Sequence, residues 1–202
     1  MNEKTDKSCA GQDEDTVSIK SFLAGDKKTF DKLVLKYQDR VFNLCYRFLG
    51  DYEEANDSAQ ETFIKVYNSL KNFRFESAFS TWLYRIAVNT CKNKLSSLKF
   101  RLNQRMVRLD REKASDEDCR LTEIRDESLS PEAELEKKER ETIIQKAIDS
   151  LPKDYKSVVV LRHIEGLSYE ETAEITGYNI GTVKSKLTRA RVRLREKLKG
   201  LI

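Results

Sequence analysis

The residues with the clearest chemical potential are basic side chains near the C-terminal end of the sequence. Between positions 184 and 199 there are eight lysines and arginines and a single acidic residue, Glu196. A helix exposed only for solubility usually mixes both charge signs, so this excess of positive charge favours contact with DNA phosphates. Apolar residues recur among them at three- and four-residue steps and predict one inward-facing stripe: Val183, Leu187, Ala190, Leu194 and Leu198.

The segment from Tyr169 to Thr188 has the spacing of a helix-turn-helix. Ala173 allows close helix packing, Gly177 permits the positive φ of the turn, and Val183 fits the angle between the two helices. The recognition helix is predicted to start near Gly181, and its first turns would enter the major groove. The predicted contacts to this DNA are Thr182, Val183, Lys184, Ser185, Lys186, Arg189 and Arg191. Neutralising about five phosphates predicts a slope of about −4 to −5 for log affinity against log salt.

The composition indicates which elements position these residues. Charged residues make up 36% of the 202, while glycine and proline number only seven and two. This favours long solvated helices over sheets, and the length suffices for two small cores. We therefore expect an all-α protein with two small helical domains joined by a charged linker.

No stretch of the sequence is apolar enough for a membrane span or a signal peptide. The longest apolar run is residues 158–161, and the first 16 residues contain no apolar segment. We expect a cytoplasmic protein.

Cysteine and histidine usage argues against a metal site, a cofactor or enzymatic activity. The four cysteines are widely spaced and His163 is the only histidine, so zinc and haem lack their usual ligands. Neither a Ser-His-Asp set around His163 nor a phosphate-binding glycine loop can be assembled. Cys45 and Cys91 lie among apolar residues and are predicted to be reduced core residues, whereas a redox role stays open for Cys9 and Cys119.

The N-terminal half reads as three helices. Apolar residues from Phe30 to Phe48 form one stripe, which Gly50 ends. A second helix is predicted from about Glu53 to Leu70, followed by a loop over residues 71–79. A third helix, capped by Ser80 or Thr81, is predicted to run to about position 95.

A linker and a second helical domain follow. Residues 99–130 are first basic and then acidic, which is typical of a mobile or partly helical connector. Ser130-Pro131 predicts a helix start, Leu151-Pro152 a break and Gly166 a stop. Ser168 and Glu171 form a capping box for a short helix ending at Gly177. The predicted organisation is a polar tail at 1–18, domains at 19–98 and 131–202, and the linker at 99–130.

Several sequence blocks resemble one protein family. Residues 151–162, 165–173 and 181–191 are similar to the C-terminal promoter-binding domain, region 4, of extracytoplasmic-function (ECF) sigma factors of the sigma-70 family. Residues 57–67 (DSAQETFIKVY) and 80–90 (STWLYRIAVNT) are similar to that family's polymerase-binding and promoter-melting helices in region 2. The blocks follow the family's order over residues 20–98 and 131–199.

The resemblance implies a non-catalytic subunit of bacterial RNA polymerase. Such a protein binds the core enzyme, recognises the −35 and −10 promoter elements and promotes DNA melting to initiate transcription. By resemblance, residues 182–191 would read the −35 element. The residues expected to dock on the clamp coiled coil of the largest polymerase subunits are Asp57, Gln60, Glu61, Phe63 and Lys65. For Phe63, a role as a core aromatic is an equally valid interpretation.

Promoter melting requires a pocket for a base that has left the stack, with hydrogen bonds, aromatic walls and positive charge. The candidates for −10 recognition and melting are Phe73, Arg74, Phe75, Arg85, Asn89, Lys92 and Asn93. Asn89 would bond a base edge and Lys92 a phosphate. Phe73 or Phe75 would either stack on a base or support the loop, while Phe79 and Trp82 are predicted to be core. Many relatives have aspartate where Asn93 stands.

The family resemblance also implies partners beyond polymerase and promoter DNA. Members are commonly held inactive by an anti-sigma protein, often membrane-bound, until a stress signal releases them. The acidic part of the linker would either mimic nucleic acid in a polymerase channel or simply be solvated. Two alternatives remain: a helix-turn-helix regulator that acts without core polymerase, and an interaction protein whose charged helices bind protein instead of DNA.

Overall fold

The computed structural model describes residues 6–97, 140 and 142–199, with side chains from residue 14 onward except that of residue 141. The predictions for the 99–130 linker, for Ser130-Pro131 and for the side chains of Cys9 and Cys119 lie outside these residues. Within the described residues the regular structure is helical, and the predicted all-α class is confirmed.

Among the described residues, four helices belong to the N-terminal half and four to the C-terminal half. The first four are α1 (Asp6–Leu23), α2 (Lys28–Leu49), α3 (Tyr52–Ser69), which a 3₁₀ turn (Leu70–Asn72) extends, and α4 (Phe79–Ser96). The C-terminal half comprises α5 (142–149), α6 (Lys153–Val159), which continues as a π-helical turn (Val160–Ile164), α7 (Tyr169–Thr176) and α8 (Ile180–Leu198).

The segment expected to be a polar tail forms most of α1. Asp15 is only 4% exposed, because its carboxylate accepts hydrogen bonds from the Tyr37 hydroxyl (2.5 Å) and the Lys36 ammonium (2.6 Å). Ile19, one turn further along, is fully buried. Polar residues near the start therefore pack against α2 through paired charges, which a search for apolar periodicity does not detect.

The junction between α2 and α3 follows the prediction. Gly50 adopts φ +70° and ends α2, and its N–H donates to the Tyr46 carbonyl over 2.8 Å. The next residue, Asp51, caps α3 by accepting the Glu54 N–H over 3.0 Å. The two helices consequently turn back on each other within two residues.

The predicted cap of α4 is wrong. The helix begins at Phe79, with Ala78 at the cap position and no side-chain cap bond, so neither Ser80 nor Thr81 starts it. Thr81 is 5% exposed and lies inside the first turn. Aromatic packing explains the start, because the Phe79 ring contacts those of Phe73 and Trp82 at centroid distances of 6.0 Å.

The two halves share one hydrophobic core. The core of the N-terminal helices, which includes Leu44, Leu83 and Ala87, continues into residues of α5, the π-helical turn and α7: Ile148, Val160, Leu161 and Ile175. A second, smaller core joins α6 to α8 around Val158, Val183 and Leu187. The two domains are thus packed together, with α7 lying against α4.

Two of the cysteines occupy this core. Cys45 and Cys91 are free thiols and fully buried, as predicted. The hydrogen bond with Cys45 and burial both raise the pKa of the Cys91 thiol well above its usual value. The Cys91 thiol therefore stays protonated, and the two side chains act as small apolar filling between α2 and α4.

The capping box of α7 yields a test of local stability. The Ser168 hydroxyl accepts the Glu171 N–H over 3.0 Å, and the Glu171 carboxylate accepts the Ser168 N–H over 2.8 Å. Ser168→Ala should lower the free energy of unfolding by about 1 kcal/mol, measured by urea denaturation. Thr188→Ala, which removes an exposed hydroxyl within α8, should change it by less than about 0.5 kcal/mol. Equal losses in both variants would contradict the role assigned to the cap.

Candidate nucleic-acid interfaces

The C-terminal helices have the geometry of a helix-turn-helix. Gly177 ends α7 with φ +74°, and Asn179 caps α8 by accepting the Thr182 N–H over 2.7 Å. Val183 is fully buried between the helices. The recognition helix starts at Ile180, one residue before the predicted position. The turn between the two helices places α7 across the start of α8, as in helix-turn-helix proteins that bind DNA.

The predicted DNA residues of α8 do not all face solvent. Lys184, Ser185 and Arg189 are exposed and Thr182 is half-buried. Val183 was predicted both to plug the helix pair and to contact DNA. Its complete burial fits the first role and leaves its side chain no surface for DNA.

Lys186 is engaged within the protein. Its side chain is 21% exposed, and its ammonium lies 3.4 Å from the Asp154 carboxylate and 4.8 Å from the centre of the Tyr178 ring. Burial raises the pKa of Tyr178 to about 12, and the hydrogen bond to Asp154 adds to this effect. In this arrangement Lys186 must exchange the carboxylate for DNA before it can reach a base or phosphate.

Arg191 is held by the only histidine in the sequence. Its Nε donates to His163 Nε2 over 3.2 Å, and its Nη2 lies 3.1 Å from the same nitrogen. Burial and the positive charges of Arg191 and Arg162 lower the pKa of His163 below its usual value. The imidazole accepts hydrogen bonds from the guanidinium only while it is neutral, so the contact with Arg191 favours the neutral form of His163.

The face of α4 predicted to read the −10 element is partly covered by the C-terminal half. Asn89 and Asn93 are exposed. Arg85 is exposed as well, but it donates two hydrogen bonds to the Glu174 carbonyl of α7, over 2.7 and 3.1 Å. Lys92 lies over the Tyr178 ring at 5.4 Å. The structure therefore brings Arg85 and Lys92 toward the helix-turn-helix and leaves the two asparagines free of it.

The charged groups that surround Lys92 belong to the C-terminal half of the chain. Burial lowers the pKa of Lys92, Asp154 opposes this shift, and the positive charges of Lys153 and Lys186 add to it. Lys92 and Lys186 belong to the two separate helices that the sequence predicts to read DNA, yet both contact the Tyr178 ring. Their ammonium groups are thus no further apart than these two ring distances together.

The loop before α4 separates supporting aromatic residues from an exposed one. Phe73 is 8% exposed and packs 5.2 Å from Trp82, so it supports the loop. Phe75 is 41% exposed, and its backbone has φ +58°, a conformation that residues other than glycine rarely adopt. Its neighbour Arg74 extends into solvent. Phe79 is 4% exposed and Trp82 packs against the core, as predicted.

One face of α3 carries the residues expected to dock on polymerase. Asp57, Gln60 and Glu61 are exposed and lie on the same side of the helix. Phe63 packs against the core, which is its alternative role from the sequence. Lys65 pairs with Glu61 over 2.8 Å and donates to the Thr90 hydroxyl, so it orders this face.

Sequence reasoning missed one apolar residue on this face. Ile64 is 62% exposed and follows Asp57 by seven positions, Gln60 by four and Glu61 by three. An exposed isoleucine among acidic and amide side chains is typical of a protein-binding surface. A helical projection of α3 shows Ile64 outside the stripe of core residues, so the sequence does contain the signal for this exposed side chain.

A search of the described residues for clusters of histidine, cysteine and carboxylate side chains finds no group suited to a metal ion. Among those same residues no helix combines the length and the apolar character needed to cross a membrane.

The N-terminal half thus has a polar and aromatic surface on α4, and the C-terminal half has a basic helix-turn-helix, an arrangement typical of DNA-binding proteins. Comparison with known families agrees with both halves. Residues 33–101 match the family model of sigma-70 region 2, and residues 141–194 match that of sigma-70 region 4.

Curated relatives extend this match to nearly the whole chain. The RNA polymerase sigma-H factor of Pseudomonas aeruginosa is 41% identical over 191 residues, which cover 95% of this chain and 97% of the relative. The ECF RNA polymerase sigma-E factor of Haemophilus influenzae is 42% identical over 188 residues, with coverage of 93% and 97%. The chain belongs to the ECF sigma factors of the sigma-70 family.

Solved structures have the same fold. CnrH, in complex with the cytosolic domain of CnrY, matches with a TM-score of 0.65 and 20% identity, covering 92% of this chain and 97% of CnrH. The sigma factor RpoE of Bartonella quintana, in complex with the anti-sigma factor NepR, matches with a TM-score of 0.60 and 26% identity, covering 86% and 98%. Both matches span the two halves together.

The Arg191–His163 contact is directly testable, because a single histidine gives unambiguous imidazole NMR signals. The pKa of His163 should lie below the usual value of about 6.5. Arg191→Gln should raise it, since a nearby positive charge is lost, whereas Arg189→Gln, an exposed change on the same helix, should leave it unchanged. A wild-type pKa at or above the usual value, or the same shift in both variants, would rule out this coupling.

Proposed function

We propose that this ECF sigma factor binds core RNA polymerase through α3, reads the −35 element with α8 and recognises and melts the −10 element with α4 and the loop before it. The observation that carries this proposal is a third surface, separate from both DNA-reading faces: the exposed strip of Asp57, Gln60, Glu61 and Ile64 on α3. A DNA-binding regulator that acts without polymerase has no need of such a strip.

The residues of α3 suit docking on another protein. The carboxylates of Asp57 and Glu61 are 71% and 51% exposed, and both already lie near lysines, at 3.6 Å for Asp57 and Lys94 and 2.8 Å for Glu61 and Lys65. Pairs this exposed contribute little to stability, so a partner's basic groups can replace the lysines at low cost. Ile64 between them supplies an apolar anchor.

The exposed groups on α4 and its loop suit an unpaired DNA strand. Asn89 and Asn93 offer donors and acceptors for a base edge, Phe75 offers an aromatic face, and Arg74 offers a positive charge. Phe73 supports this loop from below and takes no part in base stacking. On α8, Lys184, Ser185 and Arg189 are the contacts that need no rearrangement.

The chain acts as a non-catalytic initiation subunit in the cytoplasm, where bacterial RNA polymerase transcribes. An anti-sigma partner belongs to this proposal. The RpoE relative is bound to an anti-sigma factor, and the match covers most of both chains. Such a partner would regulate the factor in a stress response, as in other members of the family.

The test combines the chain with sigma-free core polymerase and follows transcription from a library of randomised promoters. The expected result is a set of start sites that depend on the chain and share two elements. Absence of chain-dependent start sites would refute the proposal, and DNA binding that is unaffected by core polymerase would favour the regulator alternative.

Two variants separate the surfaces. Arg189→Ala should weaken binding to the −35 element by about 1–3 kcal/mol and leave core affinity unchanged, because a base or phosphate contact is lost. Combined Asp57→Ala and Gln60→Ala should lower core affinity by a similar amount and leave the −35 contact intact. Each variant serves as the other's control in a core-binding titration and a promoter-binding titration. Loss of core affinity in Arg189→Ala would contradict this division.

A further inference from the structure

The π-helical turn at the end of α6 contacts the recognition helix at two points. The Arg162 guanidinium lies 4.8 Å from the centre of the Tyr169 ring, and the Lys184 ammonium of α8 lies 5.4 Å from the same centre. His163, the next residue of the turn, is bonded to Arg191 over 3.1 and 3.2 Å. Turns of this kind are frequent at functional sites. The turn therefore borders the face of α8 that we propose to bind DNA.

The His163–Arg191 pair is accessible from solvent, since both residues are exposed. Arg162 is held beside the pair, because its Nη1 donates to the Leu167 carbonyl over 2.8 Å. Protonation of His163 thus places three positive groups next to one another at the surface. Such a cluster at the edge of a helix-turn-helix has the chemistry to bind a phosphate of the DNA backbone.

Several charged groups lie on the elements that pack against the turn, and each of them interacts with a group other than His163. These interactions are Asp154 of α6 with Lys186, Lys156 of α6 with Asp149, Glu171 of α7 with the Ser168 N–H, Glu174 of α7 with Arg85, and Glu165, which follows the turn, with Arg40 and Arg47 of α2. The charges that act on the imidazole are those of Arg191 and Arg162. Both are positive, so the surroundings of His163 in the free chain favour its neutral form.

A phosphate placed beside this pair reverses the preference for the neutral imidazole. Its negative charge compensates that of Arg191 and attracts a proton to the ring, so the pKa of His163 rises on binding. A protonated imidazole donates from both nitrogens and no longer accepts from Arg191. The guanidinium that was bonded to His163 then becomes available to the phosphate as well.

We propose that His163 and Arg191 form a phosphate-binding pair beside the −35 site, in which binding of the DNA backbone adds a proton to His163 and frees Arg191 for the same phosphate. The proton comes from the solvent. Promoter affinity therefore increases as the pH falls through the window between the pKa of His163 in the free chain, below about 6.5, and its higher pKa in the complex. This inference rests on the proposed reading of the −35 element by α8.

The experiment uses the complex of the chain with core polymerase and a promoter fragment recovered from the randomised library. Affinity is measured by fluorescence anisotropy from about pH 8 to about pH 5.5 at constant salt, because salt alone changes the affinity. Each variant is compared with wild type at the same pH, which cancels the titration of groups on polymerase. A charge contact shifts the pKa of an exposed group by about one unit, so the affinity of wild type relative to His163→Gln should rise about three- to tenfold over this range.

Two substitutions at position 163 represent the neutral and the charged form. His163→Gln can still accept from Arg191 and stays neutral, so it should match wild type at about pH 8 and fall behind it at low pH. His163→Arg is charged throughout and should already have, at about pH 8, the relative affinity that wild type reaches at low pH. Glu165→Gln is the control, since burial raises the pKa of this carboxyl, and it should keep the wild-type pH dependence.

A ratio of wild-type to His163→Gln affinity that does not change with pH would overturn the proposal. So would weaker binding of His163→Arg than of His163→Gln at about pH 8, or loss of the pH dependence in Glu165→Gln. A merely structural role of His163 would weaken both variants at position 163 equally at every pH, which is also a contradictory result.

Arg189→Ala separates failure of this inference from failure of the proposed function. It should weaken promoter binding at every pH and leave the dependence on pH in place, because Arg189 has no contact with His163 in the structure. Undiminished binding by Arg189→Ala, or absence of chain-dependent start sites, would refute the reading of the −35 element by α8. Normal promoter binding with a pH-independent ratio would refute only the proton-linked pair.

Discussion

Burial of α4 on two sides is the interaction on which the rest of the structure depends. Its inner residues Leu83, Ala87 and Cys91 pack into the N-terminal core, and its outer side lies against α7. Apolar residues of the C-terminal half, among them Ile148 and Leu161, complete the same core. Burial of this apolar surface favours packing of the two halves but does not specify their relative orientation. The hydrogen bonds from Arg85 to the Glu174 carbonyl and from Lys156 to the Phe48 carbonyl fix that orientation.

The same arrangement creates a conflict with DNA recognition. The −35 and −10 elements are, by their positions, about 25 base pairs apart, or about 85 Å along B-form DNA. Lys92 and Lys186 come from the two helices that we propose to read these elements, and they lie on one tyrosine ring. A chain closed in this way cannot contact both elements, so promoter recognition requires separation of the halves. The 99–130 segment between them is long enough to permit it, since 32 extended residues span about 105 Å.

Local features of the sequence predicted most of the helices. The stripe from Phe30 to Phe48, the stop at Gly50 and the capping box at Ser168 depend on contacts within a few residues, and the structure has all three. The start of α4 could not be predicted in the same way, because aromatic packing and not a capping hydroxyl determines it. Burial of Asp15 in α1 likewise depends on Lys36 and Tyr37, which lie more than twenty positions away.

Residue types predicted the candidate surfaces, but not which side chains are free. The sequence marks Lys186 and Arg191 as cations on a recognition helix. It does not reveal that Asp154 and His163, which lie on another helix and a π-helical turn, engage them. Phe73 and Phe75 are two positions apart and equivalent by type, yet one supports the loop and the other is exposed. Such differences arise from tertiary packing, which no local pattern encodes.

The most direct test of this account is the distance between α4 and α8 in an active complex of the chain, core polymerase and promoter DNA, measured with spin labels and compared with the free chain. The expected result is a short distance in the free chain and a separation of several tens of ångströms in the complex, since the two promoter elements are about 85 Å apart. An unchanged short distance in a complex that initiates transcription would contradict it.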